Sequence, residues 1–126
     1  MKQKHKILIV DDVIVYLNSL KRAIGDEFET VTAASFDEAK QKMSDDVNLL
    51  LIDICLDESQ PGLDKTGVEI LKWAKEKFAD KPVVMMSSYR DFDAVTECLN
   101  LGAEKFLKKP INIVELKAML RAIAIE

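Results

Sequence analysis

Only two cysteines, three prolines, four glycines and one histidine occur in these 126 residues. No apolar run approaches the length of a membrane span. Each shortage removes a class of protein. Cys55 and Cys98 are too few for a disulfide framework and lack CxxC spacing, so they read as reduced, buried small hydrophobes in a reducing compartment. His5 has no cysteine or second histidine at ligand spacing, and it reads as a solvated residue ahead of the first strand. The apolar stretch behind the basic start (Lys2, Lys4, Lys6) is only Ile7 to Val10. A membrane span needs about 20 apolar residues, and a secretory leader needs a longer apolar region with a cleavage site. The cytoplasm is therefore the expected location, with no membrane partner. Basic residues are also in deficit, 18 Lys and Arg against 22 Asp and Glu, for a net charge of -4. That balance lacks the basic excess a phosphate-backbone binder gathers on one face, so no direct nucleic-acid partner is expected.

What remains is a soluble composition, 48% hydrophobic and 32% charged, in a chain sized for one domain over 1–126. Such a domain buries roughly two-thirds of the surface its unfolded form exposes. Strand-like runs alternate with helical periodicity throughout. Lys6 to Val10 precedes a helical stripe at Ile14, Leu17, Leu20 and Ile24, with Gly25 at the C-cap position. Phe28 to Ala33 reads as a second strand. Ser35 and Glu38 form a capping box opening a helix through Phe36, Ala39 and Met43. Leu49 to Ile52 is the third strand, and Ile70, Leu71, Ala74 and Phe78 mark a helix beginning near Gly67. Pro82 introduces a fourth strand. Val95, Cys98 and Leu99 stripe a helix that Gly102 ends, Phe106 centres a fifth strand, and Ile113, Leu116, Leu120 and Ile123 form the last helix. Strands that are apolar throughout belong to a sheet covered on both faces. Five β-then-α units predict an α/β fold, a doubly wound five-stranded parallel sheet with right-handed crossovers.

The chemistry lies where the strands stop. Ile7 to Val10 ends at Asp11-Asp12, Leu49 to Ile52 at Asp53, Val83 to Met86 at Ser87-Ser88, and Phe106-Leu107 at Lys108-Lys109-Pro110. Open α/β sheets bind ligands outside the carboxyl ends of their strands, so these residues would share one rim. Two carboxylates about 4 Å apart repel by roughly 4 kcal/mol at an effective dielectric near 20. Asp11, Asp12 and Asp53 together would therefore raise one another's pKa or recruit a cation. Mg2+ suits such a set, being hard and held by carboxylates, waters and substrate phosphate oxygens. A cation there neutralises charge on an incoming phosphoryl group and lets a carboxylate act as nucleophile. Asp53, alone at the end of a central strand, is the candidate nucleophile. Ser87 and Lys109 would hold phosphoryl oxygens. Taken singly, Asp12 is as good a helix cap as a ligand. The joint arrangement is the specific signal.

In these residues the chain resembles the receiver domain of bacterial two-component response regulators over nearly its whole length. The run Gly102-Ala103-Glu104-Lys105-Phe106-Leu107-Lys108-Lys109-Pro110 adds to the match. The resemblance implies the flavodoxin-like strand order 2-1-3-4-5. It implies that a partner histidine kinase or phosphotransfer protein donates a phosphoryl group to Asp53, with Mg2+ held by Asp11, Asp12, Asp53 and the Cys55 carbonyl. It also implies catalytic parts for Ser87 and Lys109, switch parts for Ser87 and Phe106, and a cis Lys109–Pro110 bond. The changing surface would be helix 4, strand 5 and helix 5, for a downstream protein target or a homodimer. Asp93, Glu97, Lys117 and Arg121 mark its charge. Such a protein catalyses its own phosphorylation and dephosphorylation but turns over no free metabolite.

The chain departs from the family after Asp53. Leu56 is followed by Asp57 instead of Met-Pro, and Gly67 arrives about six residues late, a long excursion for a βα loop. Its carboxylates Asp57, Glu58 and Asp64 are candidates for biasing metal or partner choice, against the plainer reading of a solvated surface excursion. Phe106 stands where many receivers have Tyr, so a switch there rests on packing. Ser87 replaces the commoner Thr, and the register from Pro82 selects it over Ser88. Tyr89 is expected at the rim, shielding an acyl phosphate from water. Trp73 reads as a packing residue. The competing reading is a pseudo-receiver, a protein-interaction module without phosphorylation, against which the crowded carboxylates argue. An Asp-nucleophile phosphatase needs a second Asp two residues on, where Asp53 has Cys55 and Asp11 has Val13. A flavin carrier needs a Ser/Thr/Gly-rich loop where Asp11-Asp12-Val13-Ile14 stands. The final helical stripe runs to Ile125, which fits either a single-domain regulator or a receiver cut from a longer one.

Overall fold

The computed structural model describes residues 4–56, 64–88 and 92–124. Strand and helix alternate: β1 (Lys6–Val10), α1 (Ile14–Ile24), β2 (Glu29–Ala33), α2 (Phe36–Lys42), β3 (Leu49–Asp53), α3 (Thr66–Lys77), β4 (Val83–Ser87), α4 (Phe92–Asn100), β5 (Lys105–Lys108) and α5 (Ile113–Ala124). Every pairing is parallel and the order is β2-β1-β3-β4-β5, the expected doubly wound sheet.

The side-chain period of two splits the central strands between two cores. Leu8, Val10, Leu50, Ile52, Val83 and Met85 pack with Ala39, Val68, Leu71, Ala74 and Cys98 on the face covered by α2, α3 and α4. Ile7, Ile9, Leu49, Leu51, Val84 and Met86 pack with Leu17, Leu20, Leu116 and Leu120 on the face covered by α1 and α5. β1, β3 and β4 are apolar on both sides because both sides are covered. The expectation of strands apolar throughout holds only there. β2 begins with exposed Glu29, and β5 carries exposed Lys105 and Lys108 at its ends. These are edge strands, and charge on an edge discourages pairing with another sheet.

Several sequence expectations shift in detail. Phe28 lies before β2 rather than in it, buried in the α1–α5 core. Ile14 is 56% exposed, because α1 starts at Ile14 and its first turn overhangs the sheet; Leu17, Leu20 and Ile24 form the buried stripe. Leu99 is 47% exposed, since α4 buries Ala94 and Cys98, a spacing of four, instead. His5 is half-buried rather than fully solvated. Gly25 is the α1 C-cap but keeps right-handed backbone, φ -66°. The expected capping box forms with one change: the Glu38 N–H donates to Ser35 Oγ (3.2 Å), while Glu38 Oε1 accepts from Ala34 N–H (3.1 Å). Trp73 packs edge-on against Phe36 and Phe78, as a packing residue should.

Gly102 ends α4 with φ +105°, and the Gly102 and Ala103 N–H groups donate to the Leu99 and Cys98 carbonyls, a Schellman closure. The last two helices differ from expectation in charge. Arg121 makes a bidentate pair with Glu27 (2.6 and 2.7 Å) and Lys117 pairs with Asp26 (2.9 Å), so both basic groups of α5 turn to the α1–β2 connection. Exposed pairs of this kind contribute little to stability, because water and salt screen them. Asp93 and Glu97 remain exposed on α4.

Gly67 is the second glycine with a steric reason. Its N–H donates to the Ile54 carbonyl at 2.8 Å, and a Cβ there would stand 2.6 Å from Ile54 Cα and closer still to the Asp53 carbonyl. Both obstacles are backbone, so nothing can yield cheaply. Gly67→Ala is expected to lower stability by about 2 kcal/mol or more, measured by urea unfolding.

Candidate functional site

Register brings the strand ends together. Val10 pairs with Ile52, so Asp11 and Asp53 follow in step on adjacent strands. Asp53 pairs with Met86 and Ser87 with Lys108, which sets Ser87 and Lys109 at the same rim. β1 is where the strand order reverses, the place where open α/β sheets form their binding crevice.

Asp11, Asp53 and Ser87 are buried. One carboxylate oxygen from each of Asp11, Asp12 and Asp53 lies within 4.8 Å of the others. The Lys109 ammonium bridges two of them, at 2.5 Å from Asp11 Oδ2 and 3.0 Å from Asp53 Oδ2. Asp11 Oδ1 accepts the Val13 N–H at 3.0 Å, so the same carboxylate fixes the turn into α1, whose N-cap Val13 offers no side-chain bond. Asp53 Oδ1 accepts the Cys55 N–H at 3.3 Å. Lys109–Pro110 is cis, and the Lys109 N–H donates to the Ser87 carbonyl at 2.8 Å. Ser88 is exposed, whereas Ser87 is buried at the rim. Phe106 is half-buried against the α2–α4 core.

The electrostatics follow from this crowding. Burial, and next the Asp11 charge, push the Asp53 carboxyl up to about 7 despite the Lys109 ammonium beside it. Burial opposes the charge on Lys109, but its bonds to Asp11 and Asp53 outweigh that and its pKa rises. Burial also raises the Tyr16 phenol, against the pull of Lys109. Away from the rim, burial pushes the Cys98 thiol up to about 11, consistent with a small hydrophobe. Three converging hard carboxylates exceed the charge of one ammonium, and an oxygen-only donor set fits Mg2+ rather than a softer metal.

The structure therefore gathers Asp11, Asp12, Asp53 and Lys109 into one cluster, with Ser87 and Cys55 on the adjoining strand ends. Asp57, Glu58 and Tyr89 lie outside the described residues. Asp64 turns back on its own chain. Its Oδ2 accepts the Leu56 N–H (2.7 Å) and its Oδ1 the Thr66 hydroxyl (2.7 Å), closing the stem of the long connection. Tyr16, absent from the sequence expectations, puts its ring under the Lys109 ammonium, 4.2 Å from the centroid. The available signal was its place one helical turn beyond Asp12. No helix among the described residues is long and apolar enough to cross a membrane.

Comparison with known proteins agrees with this geometry. The family model for the response regulator receiver domain matches residues 7–121. The two-component response regulator ARR5 of Arabidopsis thaliana is 34% identical over 116 residues, covering 90% of this chain and 54% of that protein. The transcriptional regulatory protein CpxR of Escherichia coli K12 is 34% identical over 121 residues, 94% of this chain and 49% of that one. The chain thus spans about half the length of these curated relatives. Among solved structures, a CheY-like receiver domain protein from Methanospirillum hungatei superposes with a TM-score of 0.85 at 27% identity, covering 97% of this chain and 94% of that one. A two-component response regulator from Clostridium difficile gives 0.84 at 26% identity, covering 95% of each. The chain belongs to the response regulator receiver domain family, whose members act as phosphoacceptors in two-component signalling.

Proposed function

We propose that this chain is a phosphoacceptor switch in which Asp53 takes a phosphoryl group from a phosphohistidine of a partner histidine kinase or phosphotransfer protein. The observation that carries the reading is the buried Asp53 carboxylate, bonded to Lys109 and converging with Asp11 and Asp12. An Asp53 oxygen attacks phosphorus, the O–P bond forms as the N–P bond breaks, and the imidazole leaves carrying a proton. In hydrolysis, water attacks phosphorus, the O–P bond breaks, and the Asp53 carboxylate returns with inorganic phosphate. Asp11, Asp12, Asp53 and the Cys55 carbonyl are the groups that would hold Mg2+. Bound there, the cation would keep Asp53 ionised and neutralise the phosphoryl oxygens. Lys109 pairs with a phosphoryl oxygen and Ser87 donates its hydroxyl to another, so both favour the transferred charge in place.

The change at Ser87 then reaches Phe106, which sits in β5 opposite Met85 and lines a groove with Lys105, Lys108, Glu115 and Met119. Repacking of Phe106 alters the α4–β5–α5 surface for a protein target or a second copy of the chain.

Incubation with acetyl phosphate and Mg2+ tests the chemistry. Phosphoryl incorporation is expected, mapped to Asp53 by reduction of the acyl phosphate and peptide mass analysis. A chain that stays unlabelled, yet binds a kinase partner, would be the pseudo-receiver instead.

A further inference from the structure

The Lys109 ammonium has three contacts among the described residues: Asp11 Oδ2 at 2.5 Å, Asp53 Oδ2 at 3.0 Å, and the face of the Tyr16 ring, 4.2 Å from its centroid. In the phosphoacceptor cycle proposed above, on which this inference rests, both carboxylates change. Asp11 must share its charge with a divalent cation, and Asp53 becomes an acyl phosphate. The ring alone stays chemically the same throughout. It is well placed to do so, because Tyr16 lies on α1 and packs against the core between α1, α5 and the sheet. With Val13, Ser88 and Pro110 it lines the opening that Lys109 reaches across. Its hydroxyl is buried without a hydrogen-bond partner among the described residues, so the ring is the part of the side chain in use.

A lysine stem has many rotamers, and an ammonium freed from its carboxylates would otherwise swing into water. A partly desolvated ring face attracts a cation through its quadrupole and stays adjacent as the other partners exchange. We infer that Tyr16 is a positioning residue for phosphoryl transfer: its ring is the fixed seat that keeps the Lys109 ammonium at the strand edge while Asp11 and Asp53 change state.

Two variants separate ring from hydroxyl. The probe is beryllofluoride with Mg2+, an acyl-phosphate mimic, titrated by calorimetry, alongside KM and kcat for acetyl phosphate and a titration with Mg2+ alone. Tyr16→Leu is expected to weaken beryllofluoride binding about tenfold and raise the KM, while its Mg2+ affinity and Tyr16→Phe both stay within about twofold of the parent. Parent-like binding by the leucine variant would overturn the inference. So would a phenylalanine variant as weak as the leucine one, which would transfer the role to the hydroxyl. Mg2+ affinity falling in step with beryllofluoride would also overturn it, because the site as a whole would then have been disturbed. A parent protein that binds no beryllofluoride and takes no label removes the phosphoacceptor reading itself, and this inference with it.

Discussion

Asp53→Asn is expected to abolish phosphoryl labelling and, in the same protein, to raise the stability of the metal-free fold. The loss follows from removing the nucleophilic oxygen. The gain follows from the cost of the charge. Burial and Asp11 hold the folded Asp53 near 7, whereas an unfolded aspartate titrates near 3.8. Between those values the folded chain keeps a proton that the unfolded chain has released. Stability therefore falls as pH rises through that window, and the penalty is complete above about pH 7. This is opposite in sign to an aspartate stabilised by its partners. An uncharged asparagine escapes the penalty, by on the order of 3 kcal/mol at pH 8 and by nearly nothing near pH 4. Urea unfolding of parent and variant in chelator, from pH 4 to pH 8, measures the difference. A gain that does not grow with pH would remove the burial of the Asp53 charge, and its crowding by Asp11, as the cause.

Lys109→Met tests the opposite side of the same balance. Lys109 bridges Asp11 and Asp53, and both of these acidic partners are buried. Removing one member of a buried pair leaves an uncompensated charge, at a cost of about 3–5 kcal/mol. The loss should be smaller at pH 5, where Asp53 takes up a proton, and larger at pH 8. Mg2+ should restore more stability to the variant than to the parent, because the ammonium no longer competes for Asp11 and Asp53. Its affinity is expected to rise about fivefold or more, corresponding to roughly 1 kcal/mol of relieved competition. Equal Mg2+ dependence in both proteins would show that ammonium and metal do not share these oxygens. The variant should also respond less to phosphorylation, since Lys109 no longer pairs with the transferred group.

The rim was legible because four of the five strands, β1, β3, β4 and β5, end abruptly in polar or charged residues. In Leu49 to Asp53 the apolar run stops at a single charge; β1 likewise stops at Asp11-Asp12, β4 at the hydroxyls of Ser87-Ser88 and β5 at Lys108-Lys109. Strand order then follows from the repeating β-then-α units, and parallel register carries the four endings to one edge. Contacts set by three-dimensional neighbours left no such mark. Arg121 and Glu27 are 94 residues apart, and nothing in either segment names the other. Asp64 looked like any solvated loop acid, and only its bonds to Leu56 and Thr66 reveal a structural task. Tyr16, four residues before Leu20, fits the face that periodicity picks out, but spacing alone does not show that its ring reaches the rim and Lys109. Ile14 and Leu99 fit the stripe yet stand exposed, since periodicity gives a face and not how far the neighbouring layer extends over it.

The clasp between Ile54 and Gly67, reinforced by Asp64 on Leu56, has a consequence for engineering. The chain is gripped on both sides of residues 57–63, so the length of the intervening segment is uncoupled from the position of the phosphorus-accepting oxygen. Changes of chain length between Leu56 and Asp64 are therefore expected to leave the acid-lined edge in place for as long as these flanking bonds hold.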